Sequence, residues 1–280
     1  MDSSLLVIGS LGQLGRATVA AAERRGLRVT GHDLDTVDIT DPAAVDGCVA
    51  EVCPDWVCNC AAFTDVDGAE TREDEAMAVN GAAVGHLAAA CNRHGAGLLH
   101  VSTDYVFPGT GDRPYREDDP VAPLGVYGRS KLVGELRAVT ADRFMVVRTS
   151  WLFGHGGRNF VEAIRDQIEA GRDRLRVVAD QEGCPTYASD LAEALLDLTA
   201  IGATGVVHAA NDGATTWHGF AVEIARQLGA EVAIEPAATG DLPRPAPRPT
   251  YSVLDTSRLT GLRGPLPPWQ DALTRYLKAR

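Results

Sequence analysis

Leu5-Leu6-Val7-Ile8-Gly9-Ser10-Leu11-Gly12-Gln13-Leu14-Gly15 is the stretch on which the fold turns. Four apolar residues running into a glycine read as a short buried strand. The alanine-rich segment from Leu14 to Arg25 favours helix. Gly9 permits the tight turn between them, Gly12 lets a pyrophosphate approach the backbone, and Gly15 lets helix and strand pack closely. The helix N-terminus then offers free N–H groups to the phosphates. Three glycines at this spacing are a weak signal alone. Set between a strand and a helix, they indicate a dinucleotide site rather than a mere turn.

Working outward, Leu27–Thr30, Trp56–Asn59, Gly97–Ser102 and Phe144–Arg148 read as further strands. Pro42–Val52, residues 69–93 and Leu132–Val139 read as the helices between them. Repeated strand–helix units predict an α/β, Rossmann-type fold, a doubly wound parallel sheet covered by helices on both faces. The dinucleotide-binding domain is expected over residues 1–150, with a contribution from about 172–210, where Gly205–Ala209 extends the sheet. Residues 151–280 are expected to form mainly a smaller C-terminal substrate-binding domain. Within it, the proline- and arginine-rich stretch 241–268 reads as an ordered loop. The proline- and glycine-rich segment from Tyr105 to Val126 breaks the rhythm, as functional loops do.

The net charge of −12 argues against nucleic-acid partners and against anionic membrane surfaces. It is uneven: residues 241–280 hold seven basic and three acidic side chains. Arg244 and Arg248 in that basic tail are candidates for holding a diphosphate. Cys53, Cys58 and Cys60 resemble a metal cluster, but no second cluster supplies the remaining ligands, so no metal is expected. Val57-Cys58-Asn59-Cys60 reads instead as a buried strand with both cysteines on one face. The start Met1-Asp2-Ser3-Ser4 carries an acid and the following apolar run is short, so no signal peptide is expected. No stretch reaches membrane-spanning length. A reduced, cytoplasmic setting is the expectation.

Lysine is scarce: only Lys131 and Lys278 stand against 24 arginines. Tyr127-Gly-Arg-Ser-Lys131 opens a helix, and a spacing of four puts Tyr127 and Lys131 on one face. This suits carbonyl reduction, where a new alkoxide needs a proton. A phenol of pKa ~10 becomes a better acid beside a cation. At ~4 Å and an effective dielectric of ~20, the ammonium supplies about 4 kcal/mol. The plainer reading is an exposed lysine and a packed tyrosine; the dinucleotide loop upstream tips the balance. Thr103, at the carboxyl end of the fourth strand, sits where open α/β sheets bind ligands. Asp33, shortly after the second strand, is placed to accept from an adenosine ribose, although a solvated turn aspartate is a near-equal reading. Asp38 is an alternative contact to the adenine end. Asp33 disfavours a 2′-phosphate and Arg16 favours one, so NADPH and NADH both stay open from these residues.

Taken in order, a set of strings resembles the extended short-chain dehydrogenase/reductases, and within them the dTDP-4-dehydrorhamnose reductase family. They are the glycine loop, Asn59-Cys-Ala-Ala-Phe-Thr-Asp-Val-Asp67, Asn80, Ser102-Thr-Asp-Tyr-Val-Phe107, Tyr127-Gly-Arg-Ser-Lys131, Arg148-Thr-Ser-Trp151, Asn159-Phe160 and Asp180-Gln-Glu-Gly-Cys-Pro-Thr186. The resemblance implies that Thr103, Tyr127 and Lys131 are the catalytic triad. Tyr127 would protonate the sugar C4 oxygen, and Lys131 would bind the nicotinamide ribose and lower the Tyr127 pKa. It implies that Gly9, Gly12, Gln13, Leu14 and Gly15 line the pyrophosphate and that Asp38 and Ile39 meet the adenine. Cys60, Ala61, Ala62, Thr64 and Asn80 would line the rest of an NADPH groove, with NADH as the alternative. Val66, Asp104, Tyr105 and Trp151 would face a dTDP-4-keto-6-deoxysugar. Cys60 departs from the small apolar residue usual there, a change that a small hydrophobe tolerates. A homodimer is compatible with this reading.

Four rivals are weighed against it. A dehydratase would follow Thr-Asp with Glu, and this chain has Tyr105. An epimerase would recycle its cofactor rather than consume it, and other deoxysugar 4-ketoreductases differ only in the sugar. A non-catalytic regulatory subunit resembling the family would bind NADP without oxidising NADPH.

Overall fold

The run Leu5–Ile8 forms most of the first strand, β1 (Ser4–Ile8), in which every residue is buried. The structure, a computed structural model, describes residues 4–279. The leader expectation rests on Met1 to Ser4 and the run Leu5–Ile8, of which Met1 to Ser3 lie outside the described residues.

A strand buried on both sides needs cover on both sides. β1 pairs in parallel with β2 (Arg28–His32) and with β3 (Trp56–Asn59). β3 pairs with β4 (Gly97–Thr103), β4 with β5 (Phe144–Thr149), and β5 with Gly205–His208. All are parallel, and the order across the sheet is Gly205–His208, β5, β4, β3, β1, β2. Alternate side chains divide the interior into two cores. Leu5, Val7, Cys58, Leu99 and Val147 pack with Leu14 and Ala21 of α1 (Gln13–Arg24) and with Leu191 and Leu195 of the helix Ala188–Ala200. Leu6, Ile8, Val57, Leu98 and Val146 pack with Val45 and Val49 of α2 (Pro42–Val52) and with Val84 and Leu87 of Ala83–His94. The fold is the doubly wound α/β sheet that the repeated units predict. The chain runs outward from β1 to β2 and then crosses back to β3. Their carboxyl ends diverge, which is where such sheets bind ligands.

α2 starts where its sequence asks: the Asp41 carboxylate accepts the Ala43 N–H at 2.8 Å, and Pro42 needs no donor at the first position. The expected single helix over 69–93 is broken. It becomes Val66–Ala69, Glu73–Met77, a π-helical turn Ala78–Ala82 and Ala83–His94. The π turn carries the buried side chain of Asn80, whose amide bonds the neighbouring loop; such turns gather at functional sites. The expected loop 241–268 also differs, since Ser257–Arg263 is a helix. Fully buried Leu259 anchors it to the first core, and Arg263 pairs with Asp197 at 2.7 Å.

A third core of Phe153, Val161, Ile164, Phe220, Ile224, Trp269, Leu273 and Tyr276 lies away from the sheet. The stretch 172–210 divides between the bodies. Arg174–Val178 pairs in parallel with Ala233–Ala237, whereas Gly205–His208 edges the main sheet. Among the described residues no helix is long and apolar enough to cross a membrane.

Candidate active site

A cleft of 1330 Å³ opens over the carboxyl ends of the strands and is bordered by residues of both bodies. At one end, Gly9 has φ +77°, and a Cβ there would stand 2.5 Å from the Ala61 nitrogen. A Cβ on Gly15 would stand 2.0 Å from the Gly9 carbonyl oxygen. Both positions therefore hold the turn by close approach. Gly12 differs. A Cβ there meets only the Gly9 oxygen, at 3.4 Å, so the backbone is bare toward the cleft. Gly12 precedes α1 with no side-chain cap, which leaves the first N–H groups free for an anion. These features fit the diphosphate of a dinucleotide.

Gln13, Leu14, Asp38, Ile39, Cys60, Ala61, Ala62 and Thr64 all border the same cleft. Asp33 borders it too, but its carboxylate already accepts N–H groups from Leu11 and Leu34, each at 2.8 Å. It braces the glycine loop. Arg16 is likewise committed, donating to the Leu11 carbonyl at 2.7 Å. Gln13 donates to the Arg158 carbonyl at 2.9 Å, tying the glycine loop to the second body.

Thr103, Asp104, Tyr105, Tyr127 and Lys131 converge at the centre of the cleft. The Thr103 hydroxyl donates to Asp104 Oδ1 at 2.9 Å. Asp104 is buried and its Oδ2 has no protein partner. Burial raises its carboxyl to about 6, against hydrogen bonds from Ser252 and Thr103. Tyr127 borders the cleft and meets the Tyr105 ring edge-on, centroids 5.9 Å apart. The resemblance predicts a lowered Tyr127 pKa, and the surroundings push it the other way. Protein atoms crowd the hydroxyl, so burial raises it to about 12, the Asp104 charge adds to the rise, and Thr103 pulls against it. Lys131 is 2% exposed and donates to the Val101 carbonyl at 2.7 Å. Burial lowers its pKa to about 8, against the charges of Glu135 and Cys60.

At the far end stand Val66, Trp151 and Arg244. Trp151 has a positive φ of 45° and stacks on Trp217 with centroids 3.6 Å apart. Asp67 holds Arg248 through two bonds, of 2.8 and 3.0 Å, while exposed Arg244 reaches it at 3.4 Å.

The model of the RmlD substrate binding domain matches residues 3–280. This chain belongs to the RmlD substrate binding domain family. It is 49% identical to a dTDP-4-dehydrorhamnose reductase of Streptomyces griseus, over 98% of this chain and 93% of the relative. It is 44% identical to a probable dTDP-4,6-dihydroxy-2-methyloxan-3-one 4-ketoreductase of Streptomyces antibioticus, over 96% of this chain and 92% of the relative. A dTDP-4-dehydrorhamnose reductase of Bacillus anthracis, solved in complex with NADP, superposes with a TM-score of 0.96 at 33% identity, covering all of both chains.

One residue assigned to the groove by resemblance to this family lies elsewhere. Asn80 is fully buried behind the cleft. Its Oδ1 accepts the Phe63 N–H at 2.8 Å, and its Nδ2 donates to the Phe63 carbonyl at 3.0 Å and to Ser130 Oγ at 2.9 Å. Ser130 in turn donates to the Tyr127 carbonyl at 2.8 Å. Asn80 thus locks a cleft loop to the Tyr127 helix without touching the cleft. Other cleft residues in this RmlD-family chain escaped the sequence reading: Trp217, Arg158, Arg176, Gln181 and Thr239. Gln181 lies within a string already singled out, whereas Trp217 carries no local signal.

Proposed function

We propose that this chain is an NADPH-dependent reductase of the C4 keto group of a dTDP-linked 6-deoxysugar, converting dTDP-4-dehydro-L-rhamnose to dTDP-L-rhamnose. The observation that carries it is the meeting of Thr103, Asp104, Tyr127 and Lys131 in the cleft that the glycine loop opens. The names of the Streptomyces griseus and Bacillus anthracis relatives support the substrate, and the NADP in the latter supports the cofactor. A cytoplasmic homodimer belongs to the same reading.

When bound, the nicotinamide supplies hydride to C4. Tyr127 gives its phenolic proton to the C4 oxygen. Burial keeps the phenol protonated across the working pH range, at about 12. Thr103 holds the same oxygen once its one hydroxyl proton turns from Asp104 Oδ1, and Lys131 holds the nicotinamide ribose. Asp104, tied to Thr103 through Oδ1, faces the sugar end of the cleft. Arg244 faces the diphosphate.

The direct test supplies dTDP-4-keto-6-deoxyglucose with and without a 3,5-epimerase and identifies the product by NMR. A 6-deoxy-L-mannosyl product formed only with the epimerase, with NADPH consumed in step, is the expected result. A product that differs at C4 or C5 would assign another deoxysugar, as the Streptomyces antibioticus relative illustrates. An isomerised sugar with no NADPH consumed would replace the reductase by an epimerase, and cofactor binding with no turnover would leave a regulatory subunit.

Two further outcomes follow. kcat/KM should fall as pH rises through about 8, where the Lys131 ammonium discharges. The Tyr127 proton is retained there, so the loss belongs to the lysine. A profile flat to about pH 10 would remove Lys131 from the role of ribose clamp. Arg244→Ala should raise KM for the sugar nucleotide about tenfold, the worth of one charge-assisted hydrogen bond of about 1.5 kcal/mol, and leave KM for NADPH nearly unchanged. Equal effects on the two would take Arg244 off the diphosphate.

A further inference from the structure

Cys58 and Cys60 bracket the end of β3, one on each side of Asn59. Their Sγ atoms are 3.7 Å apart, and both thiols are free. Cys58 is buried in the first core, whereas Cys60 borders the cleft. One sulfur can therefore be reached by a small molecule in the cleft while the other waits directly behind it. The thiolate is the nucleophilic form of a cysteine. The remaining cysteines lack this arrangement: Cys53 is exposed, and Cys48, Cys91 and Cys184 are each buried, none within hydrogen-bonding distance of another sulfur among the described residues.

We infer that Cys60 is a peroxide-reactive site of this chain, with Cys58 as its resolving partner. In the first step the Cys60 thiolate attacks one oxygen of hydrogen peroxide. An S–O bond forms, the O–O bond breaks, hydroxide leaves, and the sulfur is oxidised to a sulfenic acid. In the second step the Cys58 sulfur attacks the sulfenic sulfur. An S–S bond forms, the S–O bond breaks, and water leaves with the Cys58 proton. Over both steps one peroxide is reduced to two waters and two thiols become one disulfide.

The bond would draw the two sulfurs from 3.7 Å to ~2.05 Å. The backbone at Cys60 has little room to follow freely. Its N–H donates to the Ile8 carbonyl at 2.9 Å, and the next residue, Ala61, lies against Gly9, where even a methyl group would stand only 2.5 Å from the Ala61 nitrogen. Oxidation at Cys60 is thus coupled to the glycine loop, and the disulfide form should bind dinucleotide at least ~10-fold more weakly.

The test treats the whole purified chain with a small excess of hydrogen peroxide and reads intact mass and fragment spectra. The expected result is loss of two hydrogen atoms, mapped to Cys58 and Cys60 and reversed by dithiothreitol. In Cys58→Ala the same treatment should instead give a Cys60 sulfenic acid captured by dimedone; Cys58→Ser repeats this arm should the smaller residue loosen the core. Oxidation confined to Cys53, or Cys60 oxidised with no Cys58–Cys60 bond in the native chain, would overturn the inference. A second arm measures NADPH affinity by fluorescence before and after oxidation in a Cys53→Ser background. Unchanged affinity in the disulfide form would overturn the coupling to the glycine loop. This arm rests on the dinucleotide reading, and the mass arm does not, so a chain that never binds NADPH still shows whether the two cysteines pair.

Discussion

Tyr127→Phe is expected to fold, to bind NADPH with nearly unchanged affinity, and to turn over at least ~10²-fold more slowly. The substitution keeps the ring that meets Tyr105 edge-on and deletes only the hydroxyl. Thr103 keeps its bond to Asp104, and the Tyr127 backbone carbonyl stays tied to Ser130. Among the described residues no other ready acid stands beside it. Asp104, raised to about 6, is mostly ionised at neutral pH, and the Lys131 ammonium is engaged with the Val101 carbonyl. Stopped-flow hydride transfer at saturating NADPH is the measurement. Near-native turnover would take the proton from Tyr127 and give it to another group or to water.

Glu135→Ala should cost about 3–5 kcal/mol of stability, because it strips the partner from a buried charge. Glu135 lies one turn beyond Lys131 on the same helix, and both it and Arg148 of β5 are about 5% exposed or less. Its Oε1 accepts from Ser102 Oγ at 2.6 Å and from Arg148 Nε at 2.9 Å, and its Oε2 accepts from Arg148 Nη2 at 2.8 Å. The Arg148 guanidinium lies over the Phe107 ring and beside His208, which burial and the arginine's charge hold near 3 and therefore neutral. Without Glu135, the Glu117 carbonyl, the neutral His208 ring and the Phe107 face would remain to it among the described residues, and none of them carries a charge. Urea denaturation monitored by circular dichroism measures the loss. The paired apolar replacement Glu135→Leu with Arg148→Met should recover most of it, since a buried ion pair is seldom worth more than apolar packing. A loss below about 1 kcal/mol in the single variant would show that water reaches Arg148. The pair also pins the Lys131 helix to the ends of β4 and β5, so part of the activity should fall with the stability.

The residues whose roles depend on near neighbours were legible in the chain. Gly9, Gly12 and Gly15 act within one turn, and their spacing alone states what each does: two close approaches and one bare stretch of backbone. Tyr127 and Lys131 share a helix face because four residues make about one turn. The buried strand at Leu5–Ile8 and the helix Pro42–Val52 follow from local pattern and capping. Asn80 lies buried on a π turn behind the cleft, and nothing local distinguishes that turn from regular helix. Trp217 reaches the cleft by stacking on Trp151, a contact across 66 positions of chain that neither residue's surroundings announce.

The pKa of Tyr127 marks the boundary most clearly. A lysine four residues on predicts a more acidic phenol, and the sequence by itself determines that spacing. The folded chain determines the outcome. It crowds the hydroxyl with protein atoms, sets the buried Asp104 carboxylate near it, and turns the Lys131 ammonium toward the Val101 carbonyl. Strand, turn and helix, and with them the dinucleotide fold, were determined by the order of residues, because backbone geometry and hydrophobic period are local. The charge state of the site and the bracing role of Asp33 were decided by tertiary structure. Solvation and electrostatic fields depend on everything within several ångströms, whatever its distance along the chain.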